Sequence, residues 1–160
     1  MKAERAHLVG SKGGVGTTTI AVSIGLAMRL NVMGAADLDA VRGGSCPPIP
    51  GKAVVIDQGT TPIGVDLEGP TLVVVRNCYL SLRGALARPT DGAILVYDQT
   101  RALSIEDVRS AITTPVISVV PLCASVARTI DAGLLGVRLP KELAGPVGEV
   151  AEWLERWGGR

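Results

Sequence analysis

Gly10-Ser11-Lys12-Gly13-Gly14-Val15-Gly16-Thr17-Thr18-Thr19 is the stretch on which the reading of this chain turns. A short apolar run, Ala6-His7-Leu8-Val9, precedes it, and a helix is expected over Thr18–Leu30. Glycines between a strand and a helix let the backbone take positive φ and bring N–H groups up to phosphate oxygens. The helix start adds its partial positive charge, and a hydroxyl there, Thr18, can reach a magnesium ion. The expected phosphate cradle is therefore Ser11, Lys12, Gly13, Gly14, Val15, Gly16, Thr17, Thr18 and Thr19, with Thr18 also a metal ligand.

Outward from this loop, strands are expected at Ala6–Val9, Val32–Asp37, Ala53–Asp57, Thr71–Arg76, Ala93–Tyr97 and Val116–Val120. Runs such as Val54-Val55-Ile56 and Leu72-Val73-Val74-Val75 are continuously apolar, as in a parallel sheet covered on both faces. Helices are expected at Leu80–Ala87, Ser104–Ile112, Ser125–Leu135 and Gly148–Trp157. Ser104 with Asp107 forms an approximate capping box, Ser125 is a candidate cap, and Gly133 or Gly136 can end the helix it opens. Leu38–Lys52, broken by Gly43-Gly44 and Pro47-Pro48-Ile49-Pro50, and Gln58–Pro70 read as loops. The order gives an α/β fold, a doubly wound, mostly parallel sheet with helices on both faces. The whole chain, 1–160, is expected to form one compact domain.

Bulk properties narrow the function classes. The 160 residues carry a net charge of +1, which argues against a dominant nucleic-acid footprint. Although 47% of residues are apolar, no run approaches the roughly 18–20 residues of a membrane span. Met1-Lys2-Ala3-Glu4-Arg5 does not open a secretory leader. Cys46, Cys78 and Cys123 match no metal or redox spacing and read as free, buried or half-buried thiols of a reducing cytoplasm. His7 reads as a core or edge residue.

A strict Walker A motif ends Gly-Lys-Ser/Thr, and here Thr17 stands at the lysine position and Ser11 at the first glycine position. The loop instead resembles the deviant Walker A motif, KGGxGKTT, of the MinD/ParA family of P-loop NTPases (SIMIBI class), with Lys12 as the signature lysine. Lys12-Gly13-Gly14-Val15-Gly16 and Thr18-Thr19 match position by position, and only Thr17 departs. Within the family, the pilus-assembly branch called TadZ or CpaE includes members with this lysine replaced, and the loop is most similar to theirs. The resemblance implies that Lys12 reaches across an ATP-bound dimer to the partner's phosphates. Asp37-Leu38-Asp39 resembles switch I, which implies Asp37 on the magnesium side and Asp39 at the attacking water. Val54-Val55-Ile56-Asp57 resembles Walker B, a buried strand that delivers a metal-side carboxylate, Asp57, to the edge where ligands bind. Gly59 then suits a backbone approach to the γ-phosphate.

Base contacts are less specific. Tyr97-Asp98-Gln99 stands where the family has an Asn, so Asp98 and Gln99 are candidates that match nothing, whereas Pro121 resembles the proline-flanked backbone that lines adenine. Each carboxylate also has a plainer reading, as a turn or strand-end acid. Val150, Trp153, Leu154 and Trp157 form one helical stripe. Its polar face carries Glu149, Glu152 and Glu155, the wrong charge for anionic lipid, so packing within the fold or on a partner is expected, not membrane insertion. Arg83, Arg88, Arg101, Arg109 and Arg128 would make a basic patch only if the fold gathers them.

The resemblance implies ATP and Mg2+ as cofactors, a homodimer when ATP is bound, and slow hydrolysis to ADP and phosphate, with Lys12 and Asp39 as the catalytic residues. It implies a nucleotide-dependent positioning or partitioning switch for pili, plasmids or a division site, with a protein partner from such a system and non-specific DNA left open. The alternative is a nucleotide-binding scaffold that does not hydrolyse, because Thr17 carries no charge. A small-molecule kinase or synthetase of the same fold is a third class, which no second substrate motif supports.

Overall fold

Leu72, Val73, Val74 and Val75 are all fully buried, and alternate members of this run enter two different cores. That is the behaviour of a strand covered on both faces, because successive side chains leave a strand on opposite sides. The computed structural model describes residues 4–34, 38–44, 47–60 and 67–157. Its strands are β1 (Arg5–Gly10), β2 (Asn31–Met33), β3 (Val54–Asp57), β4 (Thr71–Arg76), β5 (Gly92–Tyr97) and β6 (Val116–Pro121). All pair in parallel, in the order β2-β3-β1-β4-β5-β6.

Helices α1 (Thr17–Met28) and α6 (Lys141–Trp157) cover one face, where Leu8, Val55, Leu72, Val74, Ile94 and Val120 meet Ile20, Ile24, Val150 and Leu154. Helices α3 (Tyr79–Leu86) and α4 (Ile105–Ala111) cover the other, closing over Val9, Val73, Val75 and Leu95 with Leu82, Ala85 and Val108. Helix α5 (Ala124–Asp131) adds Val126 to the first core.

The capping box at α4 is present: Ser104 Oγ accepts from the Asp107 N–H, and Asp107 accepts from the Ser104 N–H. These bonds hold the Asp107 carboxyl below its ordinary pKa, the Ser104 hydroxyl contributing most. Gly133, at φ 65°, ends α5: its N–H donates to the Ile130 carbonyl and that of Leu134 to the Thr129 carbonyl. This is the Schellman arrangement. The helix starts at Ala124, one residue before the expected Ser125, with Cys123 as its N-cap, and Cys123 Sγ meets Ser125 Oγ instead of capping the backbone.

Other boundaries also differ from expectation. Leu38–Arg42 forms a short helix, α2, against α1 and α5, where a loop was expected. One turn fits before Gly43 and Gly44, whose N–H groups both donate to the Asp39 carbonyl and close it. Strand β2 ends at Met33, because Gly34, at φ 124°, crosses directly over the Asp57 backbone. Helix α6 starts seven residues earlier than expected and runs through Pro146. The proline forfeits one ladder bond, while its carbonyl accepts the Ser118 hydroxyl at 2.9 Å and Val147 beside it is buried. Val150 and Leu154 of the expected stripe are buried and Trp153 packs against the same core, so the stripe faces the fold.

Candidate functional site

Because every strand is parallel, Gly10, Asp57, Arg76, Tyr97 and Pro121 all finish at one edge of the sheet. The chain winds to one side of β1 through β3 and β2 and to the other through β4, β5 and β6. The turn after β1 therefore occupies the point where winding reverses, the crevice where open α/β sheets bind ligands.

Residues 11–16 fill that position. Gly14 and Gly16 take φ of 70° and 99°, and a Cβ at Gly13 or Gly14 would meet only open space. Gly16 is the N-cap of α1 without a side-chain cap, and no acid sits in the helix's first turn. The first N–H groups of α1 are thus uncapped by side chains, as anion binding at a helix start requires. Thr17 is buried, and a Cβ added to Gly10 would lie 2.6 Å from its hydroxyl. The residue at the usual lysine position is therefore folded back over the end of β1. Thr18 and Thr19 are half-buried in the first turn. Lys12 is also half-buried, and its Nζ donates to its neighbour, the Gly13 carbonyl, at 3.1 Å.

The loop is anchored from below. The Ser11 N–H donates to the Val74 carbonyl at 2.9 Å and the Gly10 N–H to the Gly59 carbonyl at 2.6 Å. Ser11 Oγ meets Ser81 Oγ at 2.5 Å, and Ser81 Oγ also accepts the Arg76 N–H at 2.7 Å. Arg88 reaches in beside them, donating to the carbonyls of Ser11, Gly84 and Thr60 at 3.1, 2.8 and 3.0 Å. Serine at the first glycine position is thus an anchor to α3. Sequence reading missed that role, as it missed Ser81, Gly84 and Arg88, since each depends on a contact between distant segments.

Asp57 is 3% exposed. Its Oδ1 accepts the Gly59 N–H at 2.8 Å, and its Oδ2 is buried with no hydrogen-bond partner among the described residues. A buried carboxylate oxygen is costly unless paired, so this atom fits a hydrated cation at the edge of β3. The Gly59 N–H is committed to Asp57, whereas it was expected to face a phosphate. Asp39 is exposed on the first turn of α2 and does not line the cavity beside the loop. Asp37 lies outside the described residues.

That cavity, about 130 Å³, runs from Gly14, Val15, Gly16 and Thr19 to Val96, Val120, Pro121 and Cys123, with Arg76 at its rim. Pro121 and the loop both line it. Neither Asp98 nor Gln99 enters it. Asp98 is closed onto its own turn by the Thr100 hydroxyl at 2.6 Å and by Arg101 at 3.3 Å. Its carboxyl is held below the ordinary value by the Thr100 hydroxyl first, then by the Thr100 N–H. A larger cavity, about 450 Å³, lies elsewhere, between the end of α1, β2 and Pro47–Ile49.

With this geometry established, solved structures give the nearest comparison. The chain is similar to MinD in the MinC:MinD cell division protein complex of Aquifex aeolicus, at TM-score 0.76 and 17% identity over 96% of each chain. It is similar to the septum site-determining protein MinD complexed with Mg-ADP from Pyrococcus horikoshii, at TM-score 0.75 and 14% identity over 97% of each. A ParA family ATPase from Chlorobium tepidum matches at TM-score 0.68 and 15% identity, over 95% of this chain and 99% of that one. The chain has the MinD/ParA fold. No protein-family model matches it, and no curated protein matches its sequence.

Within this MinD/ParA fold the remaining expectations can be located. Of the scattered arginines, Arg88 is turned into the loop, while Arg101 and Arg109 pair with Asp98 and Glu106, each three residues before it in the chain. Cys78 and Cys123 are free and half-buried at the starts of α3 and α5, and Cys46 lies outside the described residues. No helix among the described residues is long and apolar enough to cross a membrane.

Proposed function

We propose that this chain binds ATP with Mg2+ and acts as a nucleotide-dependent positioning or partitioning switch of the MinD/ParA kind. The observation that carries the reading is the uncapped, glycine-turned loop at residues 11–16, lying at the reversal point of the sheet beside Asp57 and its unpartnered oxygen. In this reading Ser11–Thr19 cradle the phosphates, Thr18, Asp37 and Asp57 hold the metal, and Pro121 lines the base. The similar MinD structures contain Mg-ADP in one case and MinC in another, which supports a nucleotide, a magnesium ion and a protein partner here. The loop is of the deviant Walker A type, nearest to the TadZ/CpaE branch. Lys12, whose Nζ bonds an adjacent carbonyl, is the residue that crosses to a second copy when ATP is bound. A cytoplasmic setting goes with this role.

A second reading, a scaffold that binds nucleotide without hydrolysing it, is favoured by Thr17 and by the exposed position of Asp39. Two measurements on the purified chain test both. Calorimetry with ATP and Mg2+ should show binding that Gly16→Val abolishes; equal binding by the variant would refute the loop assignment. Phosphate release separates slow ATPase from scaffold. Light scattering with a non-hydrolysable analogue should show a dimer that Lys12→Ala cannot form, and a dimer that persists would refute the trans-lysine role.

A further inference from the structure

The loop lacks its usual cation, yet another, in no ion pair among the described residues, stands beside it. Arg76 is the last residue of β4 and shares the face of Leu72 and Val74, the face on which α1 packs. Across the sheet it registers with Val96, and Val96 registers with Val120, so Arg76, Val96 and Val120 make one row at the ligand-binding edge. All three line the cavity that Gly14, Gly16 and Thr19 close from the loop side. Arg76 is thus the charged member of an otherwise apolar row.

Asp98 feels its charge, which adds to the lowering of that carboxyl's pKa, but the two form no ion pair. Its Nε is buried without a hydrogen-bond partner, and no carboxylate among the described residues lies within ion-pair distance. Asp98, the nearby acid, is engaged by Arg101 and Thr100. A guanidinium with a buried, unsatisfied N–H is stable only if something anionic or strongly accepting completes it. Its backbone is fixed toward the loop as well, since the Arg76 N–H donates to Ser81 Oγ, which is bonded to Ser11.

We propose that Arg76 supplies, from the end of β4, the cationic contact to the nucleotide phosphates that Thr17 withholds. The loop would then owe its charge to the neighbouring strand, with Lys12 left free to reach outward. This rests on the nucleotide-binding reading above, and the test separates the two.

Calorimetry with ATP, ADP and adenosine, each with Mg2+, is run on wild type, Thr17→Lys, Arg76→Gln, and Arg76→Gln combined with Thr17→Lys. Loss of one charge-assisted contact should weaken ATP and ADP by about ten- to hundredfold. Adenosine affinity should be unchanged, which also shows that the variant is folded. Thr17→Lys should recover most of the loss in the Arg76→Gln background and gain little in the wild type. Arg76→Met, which keeps most of the stem, replaces Arg76→Gln should the latter fail to fold. A wild type that binds no nucleotide refutes the underlying reading and this one with it. Full ATP affinity in Arg76→Gln refutes this proposal alone. Equal loss of ATP and adenosine would put the guanidinium on the nucleoside and overturn the phosphate assignment.

Discussion

Replacing Gly84 by alanine sets two effects against each other. Alanine is favoured over glycine inside a helix by about 1 kcal/mol, and Gly84 is inside α3, so propensity alone predicts a more stable protein. The packing predicts the opposite. A Cβ at Gly84 would lie 2.1 Å from the Ser11 carbonyl oxygen, and the backbones must part by about 1 Å or more to reach ordinary contact. Overpacking of this kind costs about 1–3 kcal/mol, so the net effect should range from near zero to about 2 kcal/mol of destabilisation, read from urea unfolding. The larger effect should fall on binding, because Ser81 and Arg88 tie the displaced helix to Ser11. An ATP affinity reduced by about tenfold corresponds to about 1.4 kcal/mol. Gly84→Ala that is stabilised by about 1 kcal/mol and binds ATP like the wild type would refute the close approach of α3 to the loop.

Three further outcomes follow from other parts of the fold. Asp57→Asn keeps an acceptor for the Gly59 N–H but removes the charge; it should abolish the extra thermal stabilisation that Mg2+ adds to ATP, measured against a chelator. His7 has its pKa lowered chiefly by burial, against an opposing hydrogen bond to the Glu68 carbonyl and with a smaller push from Arg5. The unfolded chain therefore takes up a proton first, so stability should hold above about pH 6.5 and fall below it; His7→Gln should flatten this part of the urea-midpoint profile. Leu154→Ala, at a fully buried site on α6, should cost about 2–5 kcal/mol, whereas a loss under half of that would mean α6 is not packed on the sheet.

Strands were legible because their signal is local. Leu72–Val75 and Val54–Ile56 announce burial on both faces by composition alone, and parallel pairing then restricts the order to few choices. The loop was legible for a related reason, since turn, phosphate approach and helix start need particular residues at adjacent positions. What sequence could not show were the pairings between segments. Ser11 with Ser81, Arg88 with the loop, and Arg76 with the Val96 row join positions about 20–77 residues apart, and nothing in either partner names the other. Local rules also failed where packing outweighed them. A helix was expected only from Gly148, yet Leu143 and Val147 ahead of it are both buried, and that burial keeps the helix continuous across the hydrogen bond lost at Pro146.

Placing the first strand at the middle of the sheet has a consequence for synthesis. Arg5 must wait for Val54, and His7 for Thr71, separations of about 50 and about 65 residues. No pair of neighbouring strands is joined by a hairpin, since every pairing is parallel, so α1 can pack on β1 early but no neighbouring strand can hold it while the ribosome catches up. At about 5–20 residues per second, the most apolar end of β1 stays unpartnered for several seconds. During that interval Leu8 and Val9, later wholly enclosed, are open to any chaperone or neighbouring nascent chain.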